Sequence, residues 1–356
     1  MPGPPGTRRM SGNHPARARY DVMRHAPAVI VVGASAGGVE AVRSLAAALP
    51  ADFPAAVLVV LHIGAHRSEL PWLLNQAGPL PAVHPEDGDA IRPARIYVAP
   101  PDRHMLVEPG RVRLTRGPRE NWARPAIDPL FRSAARSYGT GAVGVVLTGG
   151  LNDGTAGLYE IKRAGGTAVV QDPADAAEPG MPRSALAHVA VDHCIPLAGL
   201  AGLLVRLAAA GAAGIRPDWA RPAPSEGQGM TTEYKHDRPV AVTCPDCGGA
   251  LRRTELGTLT RFGCHIGHAY TAEVLVAAQF AALEGQLEAT LRSFGERGEL
   301  CRQMAEKCRT GGDGPAASQW ETATREADDR TGVLRRLLEE QWTHPAGIDG
   351  PHRPPG

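Results

Sequence analysis

Three residue types able to perform acyl transfer stand close behind three apolar runs: Ser35 after VIVVGA, His62 after AVLVVL, and Asp153 in the loop that follows AVGVVL. A serine hydroxyl is a weak nucleophile at neutral pH and must lose its proton as it attacks. An imidazole titrating near neutrality can take that proton and return it to a leaving group. A carboxylate such as Asp153 would orient the ring and stabilise the imidazolium. Backbone amides after the serine would face the developing oxyanion, so Ala36 and Gly37 are the candidate oxyanion positions. Each residue also has a plainer reading. GASAGG suits a turn that merely packs a helix on a strand, or half of a phosphate-binding loop; a lone histidine after a strand suits a hydrogen-bonded loop; an Asp before Gly suits a turn. The set of three carries the hydrolase reading.

A second constellation lies far downstream. Cys244 and Cys247 have the Cys-x-x-Cys spacing of a zinc knuckle, and Cys264 with His268 can close a tetrahedron around the same ion. His268 is chosen because an offset of four residues could bring it beside Cys264 across one helical turn; His265 is the alternative fourth ligand. Three thiolates and one imidazole leave no position for water, so the expected metal is a structural zinc, with no cofactor needed for catalysis. The other reading of the pair, a redox motif, expects a βα junction, whereas CPDC precedes Gly-Gly in a hairpin-like stretch.

The elements that must position these groups alternate. Ala28–Ala48 reads as strand, tight turn and helix, with Ser35 at the turn, where flanking glycines permit a sharp reversal. Ala56–Leu61 is a second buried strand delivering His62. Leu70–Gln76 starts a helix, Arg95–Ala99 is a third strand, and His104–Thr115 is a hairpin about Pro109-Gly110. Asp128 stands where an N-cap belongs, ahead of LFRSAARSY. Ala142–Leu147, helix Thr155–Arg163 and strand Thr167–Val170 follow. Strands alternating with helices imply an α/β fold: a doubly wound, mostly parallel, Rossmann-like sheet covered on both faces. Such sheets bind ligands at the carboxyl edge of their strands, where all three polar residues are expected.

A chain of 356 residues can hold a large core and more than one domain. With 38 basic against 37 acidic residues, nothing global points to nucleic acid or an anionic membrane surface. No apolar run reaches the ~18 residues of a spanning helix, and residues 1–26 lack the apolar middle of a secretory signal. The expectation is a cytoplasmic protein with a disordered leader over 1–26, a catalytic domain over 27–210, and a Pro/Gly linker over 211–239. A small zinc-ribbon-like module over 240–270, an α-helical hairpin over 271–342 and a disordered tail over 343–356 complete it. In the hairpin, Leu283, Leu287, Leu291 and Phe294 form one apolar stripe; Trp320, Ala327, Thr331, Leu334 and Leu338 form another, with Thr310–Pro315 as the turn. Packing on itself would bury both stripes; so would a homodimer or a partner protein.

Ala28–Leu204 resembles the catalytic domain of the chemotaxis protein-glutamate methylesterases, the CheB family. The matching segments are VVGASAGGVEAV, LPADFPAAVLVVLHIG, ARIYVAPPDRHMLV, RPAIDPLFRSAA, GVVLTGGLNDGTAGLYEIKRAGGTAVVQDP and GMPRSALAHVAVDHCIPL, in that order. The resemblance implies a Ser–His–Asp triad at Ser35, His62 and Asp153, and adds Gly150, in the loop before Asp153, as a substrate-loop position. It also implies a methylated, helical chemoreceptor-like substrate, and glutamine deamidation as a second activity. Three departures stand out. The family usually has threonine where this chain has Ala36, and Met-Gly where it has Gly150-Leu151. Chemotaxis members usually begin with a phosphorylatable receiver, which 26 residues cannot hold, so activation by phosphorylation in cis is not expected. The cysteine block resembles a module that follows this domain in some receiver-less relatives. Competing readings are a phosphate- or nucleotide-binding module, disfavoured because His62 stands where a ribose-binding acid would, and a scaffold acting through its zinc module and helices.

Overall fold

The computed structural model describes residues 29–62, 68–212 and 240–340. The expected leader and terminal tail, and nearly all of the linker, lie outside the described residues. The chain divides into two compact units: among the described residues the first takes 29–212 together with the short turn Leu256–Leu259, and the second takes the rest of 240–340.

In the first unit β1 (Val29–Ala34) runs into α1 (Gly38–Ala48), and β2 (Ala56–Leu61) precedes α2 (Leu70–Ala77). β3 (Ala82–Val83) and β4 (Arg95–Val98) lead to a hairpin of β5 (His104–Glu108) and β6 (Arg111–Thr115). Then come α3 (Ile127–Tyr138), β7 (Ala142–Val146), α4 (Thr155–Arg163), β8 (Thr167–Gln171), α5 (Gly180–His188), β9 (His193–Ile195) and α6 (Leu197–Ala212). Seven strands form one parallel sheet in the order β3-β4-β2-β1-β7-β8-β9. This is the doubly wound, Rossmann-like class. Its central strands are buried end to end because both faces are covered, which is why they read as unbroken Val, Ile and Leu runs. Ile30 and Val32 enter one core layer with Val42, Leu45 and Leu200; Val29 and Val31 enter the other with Ile127, Phe131 and Leu158.

The chain winds outward from β1 through β2 to β4, returns, and winds the other way through β7, β8 and β9. The switch point therefore lies between β1 and β7, where doubly wound sheets open a crevice at their carboxyl edge. Register carries the next step. Gly33 pairs with Val60 on one side and Val146 on the other, so two residues further on Ser35 lies level with His62 and Thr148.

Asp128 is not an N-cap. α3 begins at Ile127 with Ala126 as its cap residue and no capping side chain of its own, and Asp128 lies inside the first turn, fully buried. The N-terminal amides of α3 are taken by a carboxylate from another segment: Ile127 N–H and Asp128 N–H donate to Asp153 at 2.7 and 3.2 Å. Asp128 itself accepts from Gly157 N–H of α4 at 2.6 Å, tying the two helices together.

The second unit contains β10 (Leu251–Leu256), β11 (Leu259–Cys264) and β12 (Ala269–Thr271) in a three-stranded sheet, followed by α7 (Ala272–Thr310) and α8 (Gly314–Glu339). The two long helices pack on each other, but differently from the expectation that both apolar stripes would be covered. Gly298, Cys301, Ala305, Ala317 and Ala327 are buried between them, while Leu283 and Trp320 remain 38% and 37% exposed. Small residues at the seam let the backbones approach, and Trp320, one turn from Ala317, is left partly exposed.

Candidate active site and metal centre

The strand ends bring Ser35, His62 and Asp153 into one hydrogen-bonded row. His62 Nδ1 lies 3.2 Å from Ser35 Oγ, and His62 Nε2 lies 2.8 Å from Asp153 Oδ2. An ionised carboxylate only accepts, so Nε2 carries the ring proton and Nδ1 is left as the acceptor for the serine hydroxyl. That ring orientation is the reverse of the one in chymotrypsin-like proteases, with the same division of roles.

Asp153 is 3% exposed. Burial pushes its carboxyl up, but hydrogen bonds and charge from His62, with bonds from Ile127 N–H and Asn121, outweigh burial and hold it below the usual carboxylate range. Its Oδ1 accepts from Asn121 Nδ2 at 2.8 Å, Gly154 N–H at 2.9 Å and Asp128 N–H; Oδ2 accepts from His62 and Ile127 N–H. Two helix N-termini, those of α3 and α4, thus converge on one anion. Asn121 is held in the left-handed region at φ 48° and donates both to Asp153 and to Asp128 Oδ2. Arg132, paired with Glu120 at 2.6 Å, supplies positive charge to both buried carboxylates.

Ser35 begins a tight turn. Gly38 N–H donates to Ser35 O at 2.8 Å, and Gly37 adopts φ 73°, ψ −2°, the third position of a type II turn. A methyl group on Gly37 would lie 2.8 Å from Ala177 Cβ, so both its backbone angle and its surroundings demand glycine. Gly149 is pressed between Ser35 and Met181: a Cβ there would sit 2.8 Å from Ser35 Cβ and 2.2 Å from Met181 Sδ. Ala36 and Gly37 are exposed, and among the described residues the amides of Ala36, Gly37 and Gly150 have no hydrogen-bond acceptor. Leu151 adopts φ 58°, a left-handed conformation that its side chain disfavours.

Sequence reasoning overlooked Asn121 and Thr148 altogether and misread Asp128. Thr148 was legible as the first polar residue after a buried strand. Asn121 offers no local signal, since its partners are 7 and 32 positions away.

In the second unit the four sequence-selected ligands converge. One donor atom from each of Cys244, Cys247, Cys264 and His268 lies within 4.8 Å of the others. Cys247 Sγ and Cys264 Sγ are 3.7 Å apart, and His268 Nδ1 is 3.7 Å from Cys244 Sγ and 3.5 Å from Cys264 Sγ. Bond lengths of about 2.3 Å to sulfur and about 2.0–2.1 Å to nitrogen give tetrahedral edges of about 3.8 and 3.5 Å, so the donor set fits zinc. His265, the alternative, does not belong to this cluster. The route by which His268 reaches Cys264 is not a helical turn: β11 ends at Cys264, Gly267 takes φ 106°, and Cys264 N–H donates to His268 O across a tight hairpin. Cys244 sits in a comparable turn, with Gly248 N–H donating to its carbonyl at 2.8 Å. Buried Tyr270 donates to Asp246 at 2.5 Å beside Cys244; burial and that carboxylate push its hydroxyl well above the usual tyrosine range.

A doubly wound parallel sheet with a serine, a histidine and a buried carboxylate hydrogen-bonded in a row at its switch point defines a class of α/β protein that has the residue types of acyl transfer in place. Comparison with known proteins narrows it. Residues 30–204 match the family model CheB methylesterase. A Leptospira interrogans protein named as a candidate protein-glutamate methylesterase/protein-glutamine glutaminase is 40% identical over 181 residues, spanning 50% of this chain and 93% of that protein. Protein-glutamate methylesterase/protein-glutamine glutaminase 5 of Anaeromyxobacter dehalogenans is 41% identical over 197 residues, 54% of each chain. The crystal structure of the Thermotoga maritima CheB methylesterase catalytic domain aligns over 51% of this chain and 99% of its own, at 30% identity and a TM-score of 0.49. The chain belongs to the CheB methylesterase family. The family match ends at residue 204, before the second unit begins. Among the described residues no helix is long and apolar enough to cross a membrane.

Proposed function

We propose that this protein hydrolyses γ-glutamyl methyl esters on a chemoreceptor-like helical protein in the cytoplasm, with Ser35 as nucleophile, His62 as general base and acid, and Asp153 as the group that orients the ring. The observation that carries this reading is the continuous row Ser35 Oγ, His62 Nδ1, His62 Nε2, Asp153 Oδ2. Ser35 Oγ attacks the ester carbonyl carbon as its proton passes to His62 Nδ1, a contribution of about 10²–10⁴ in rate. The carbonyl oxygen becomes an oxyanion facing the amides of Ala36, Gly37 and Gly150, each such donor being worth about 10²–10³ in turnover. The imidazolium, balanced by Asp153, then gives its proton to the departing methoxide, and methanol leaves. Water, activated by the same ring, cleaves the acyl-enzyme to glutamate and free Ser35. A glutamine side chain would follow the same course with ammonia leaving, which is the reading for a second, deamidase activity.

The Cys244–Cys247–Cys264–His268 cluster is assigned to a structural zinc. All four donors come from protein, so the ion would supply a cross-link for a segment too short to bury a core of its own. Methanol release from methyl-labelled receptor membranes, compared between wild type and Ser35→Ala, tests the catalytic reading. The alanine chain is expected to fold and to release none; release at the wild-type rate refutes the assignment of Ser35.

A further inference from the structure

We propose that the Thr148 hydroxyl is a positioning residue for this acyl transfer: it fixes the Ala36–Gly37 peptide so that the Gly37 amide faces the oxyanion. The inference rests on Ser35 being the nucleophile. Thr148 is 1% exposed, and every polar atom it has is engaged. Its N–H donates to Gln171 Oε1 at 2.9 Å, and its carbonyl accepts from Ser35 N–H at 2.9 Å. Its Oγ1 accepts from Glu178 N–H at 2.8 Å. The one hydroxyl proton can then go to Ala36 O at 2.9 Å or to Glu178 O at 3.2 Å, and the shorter contact selects Ala36. Gln171 is itself held by Asp175 at 3.0 Å, so Thr148 is anchored from outside the turn it controls.

The geometry of the peptide supplies the rest. In a trans peptide the carbonyl and the following N–H point in opposite directions. With Ala36 O drawn inward to Thr148, Gly37 N–H is turned to the exposed side of the turn, where among the described residues it has no acceptor. A type II turn can convert to type I by flipping this central peptide, with φ of its third residue passing from about +80° to about −90°. Glycine tolerates both values, so Gly37 does not resist the flip by its own sterics. A flipped peptide would present Ala36 O to the forming oxyanion and repel it. The bond from Thr148 is the contact on Ala36 O that holds the productive state.

The test uses full-length protein and a synthetic peptide bearing one glutamate γ-methyl ester. Thr148→Val keeps shape and removes the hydroxyl. It is expected to lower kcat between about tenfold and the 10²–10³ that loss of an oxyanion donor costs, with KM and the pH midpoint unchanged because His62 and Asp153 are untouched. Thr148→Ser should retain most of kcat. A peptide boronic acid, which forms a tetrahedral adduct on serine, should bind Thr148→Val more weakly by the factor lost in kcat. Wild-type kcat in the valine chain, an equal loss in the serine chain, or a loss carried by KM overturns the proposal. If Thr148→Val does not fold, Thr148→Ala carries the same expectation, and failure of both to fold assigns Thr148 a structural role instead. Absence of Ser35-dependent release from wild type refutes the esterase reading and this inference together; Ser35-dependent release undiminished in Thr148→Val refutes the inference alone.

Discussion

Replacing Asp153 with Asn changes one atom, and the surrounding donors dictate where it goes. Oδ1 of Asp153 accepts from three donors, Asn121, Gly154 N–H and Asp128 N–H; Oδ2 accepts from His62 and Ile127 N–H. An amide nitrogen at the first position would oppose three donors. At the second it opposes only Ile127 N–H, provided that His62 turns its bare nitrogen towards it. The asparagine therefore settles with its NH2 facing His62, which moves the ring proton from Nε2 to Nδ1. That nitrogen is the one 3.2 Å from Ser35 Oγ, so the base is blocked at the atom where it must act. Loss of turnover by about 10⁴ is expected, the cost of a wrong tautomer in a triad. The orphaned buried Ile127 N–H should cost about 1–3 kcal/mol of stability, which lowers Tm by several degrees in a unit of this size. The assay is single-turnover methanol release with a parallel thermal melt. An Asp153→Asn chain that melts as expected yet turns over within tenfold of wild type would refute the tautomer argument and reduce Asp153 to a helix cap.

Two further outcomes follow from other sites. His104 is 3% exposed, donates from Nε2 to Pro118 O at 2.9 Å and accepts Ala126 N–H at Nδ1, so it is held neutral, and burial lowers its pKa below the ordinary 6.5. Between the folded and unfolded values the unfolded chain binds the extra proton, so the stability this group provides is complete above 6.5 and is lost as the pH falls from there through the folded value. Thermal melts at pH 7.5 and 5.5 should differ less in His104→Gln than in wild type; an unchanged difference excludes His104 as the source. For the metal centre, elemental analysis should find one zinc per chain, lost together with the folding of Val240–Tyr270 in Cys244→Ser or Cys264→Ser. A metal-free wild type, or a serine variant with full zinc, would contradict the assignment.

The sequence alone determined the elements and the residues at their ends. Short β-branched runs followed by small and polar residues read as buried strands entering tight turns, and this local pattern marked Ser35, His62 and the Asp153 loop without any knowledge of strand order. Ligand spacing did the same for Cys244, Cys247, Cys264 and His268, because short-range turns bring each pair together whatever the rest of the chain does. Only the tertiary structure decided what joins them. His62 is 27 residues from Ser35 and 91 from Asp153, and they meet because β1 lies between β2 and β7, an order set by non-local pairing that no local pattern encodes. The same holds for Asp128, which reads as a cap but is displaced from that duty by a carboxylate 25 residues away. Asn121 and Thr148 act through partners distant in the chain, so their roles exist only once the sheet has brought those partners within hydrogen-bonding distance.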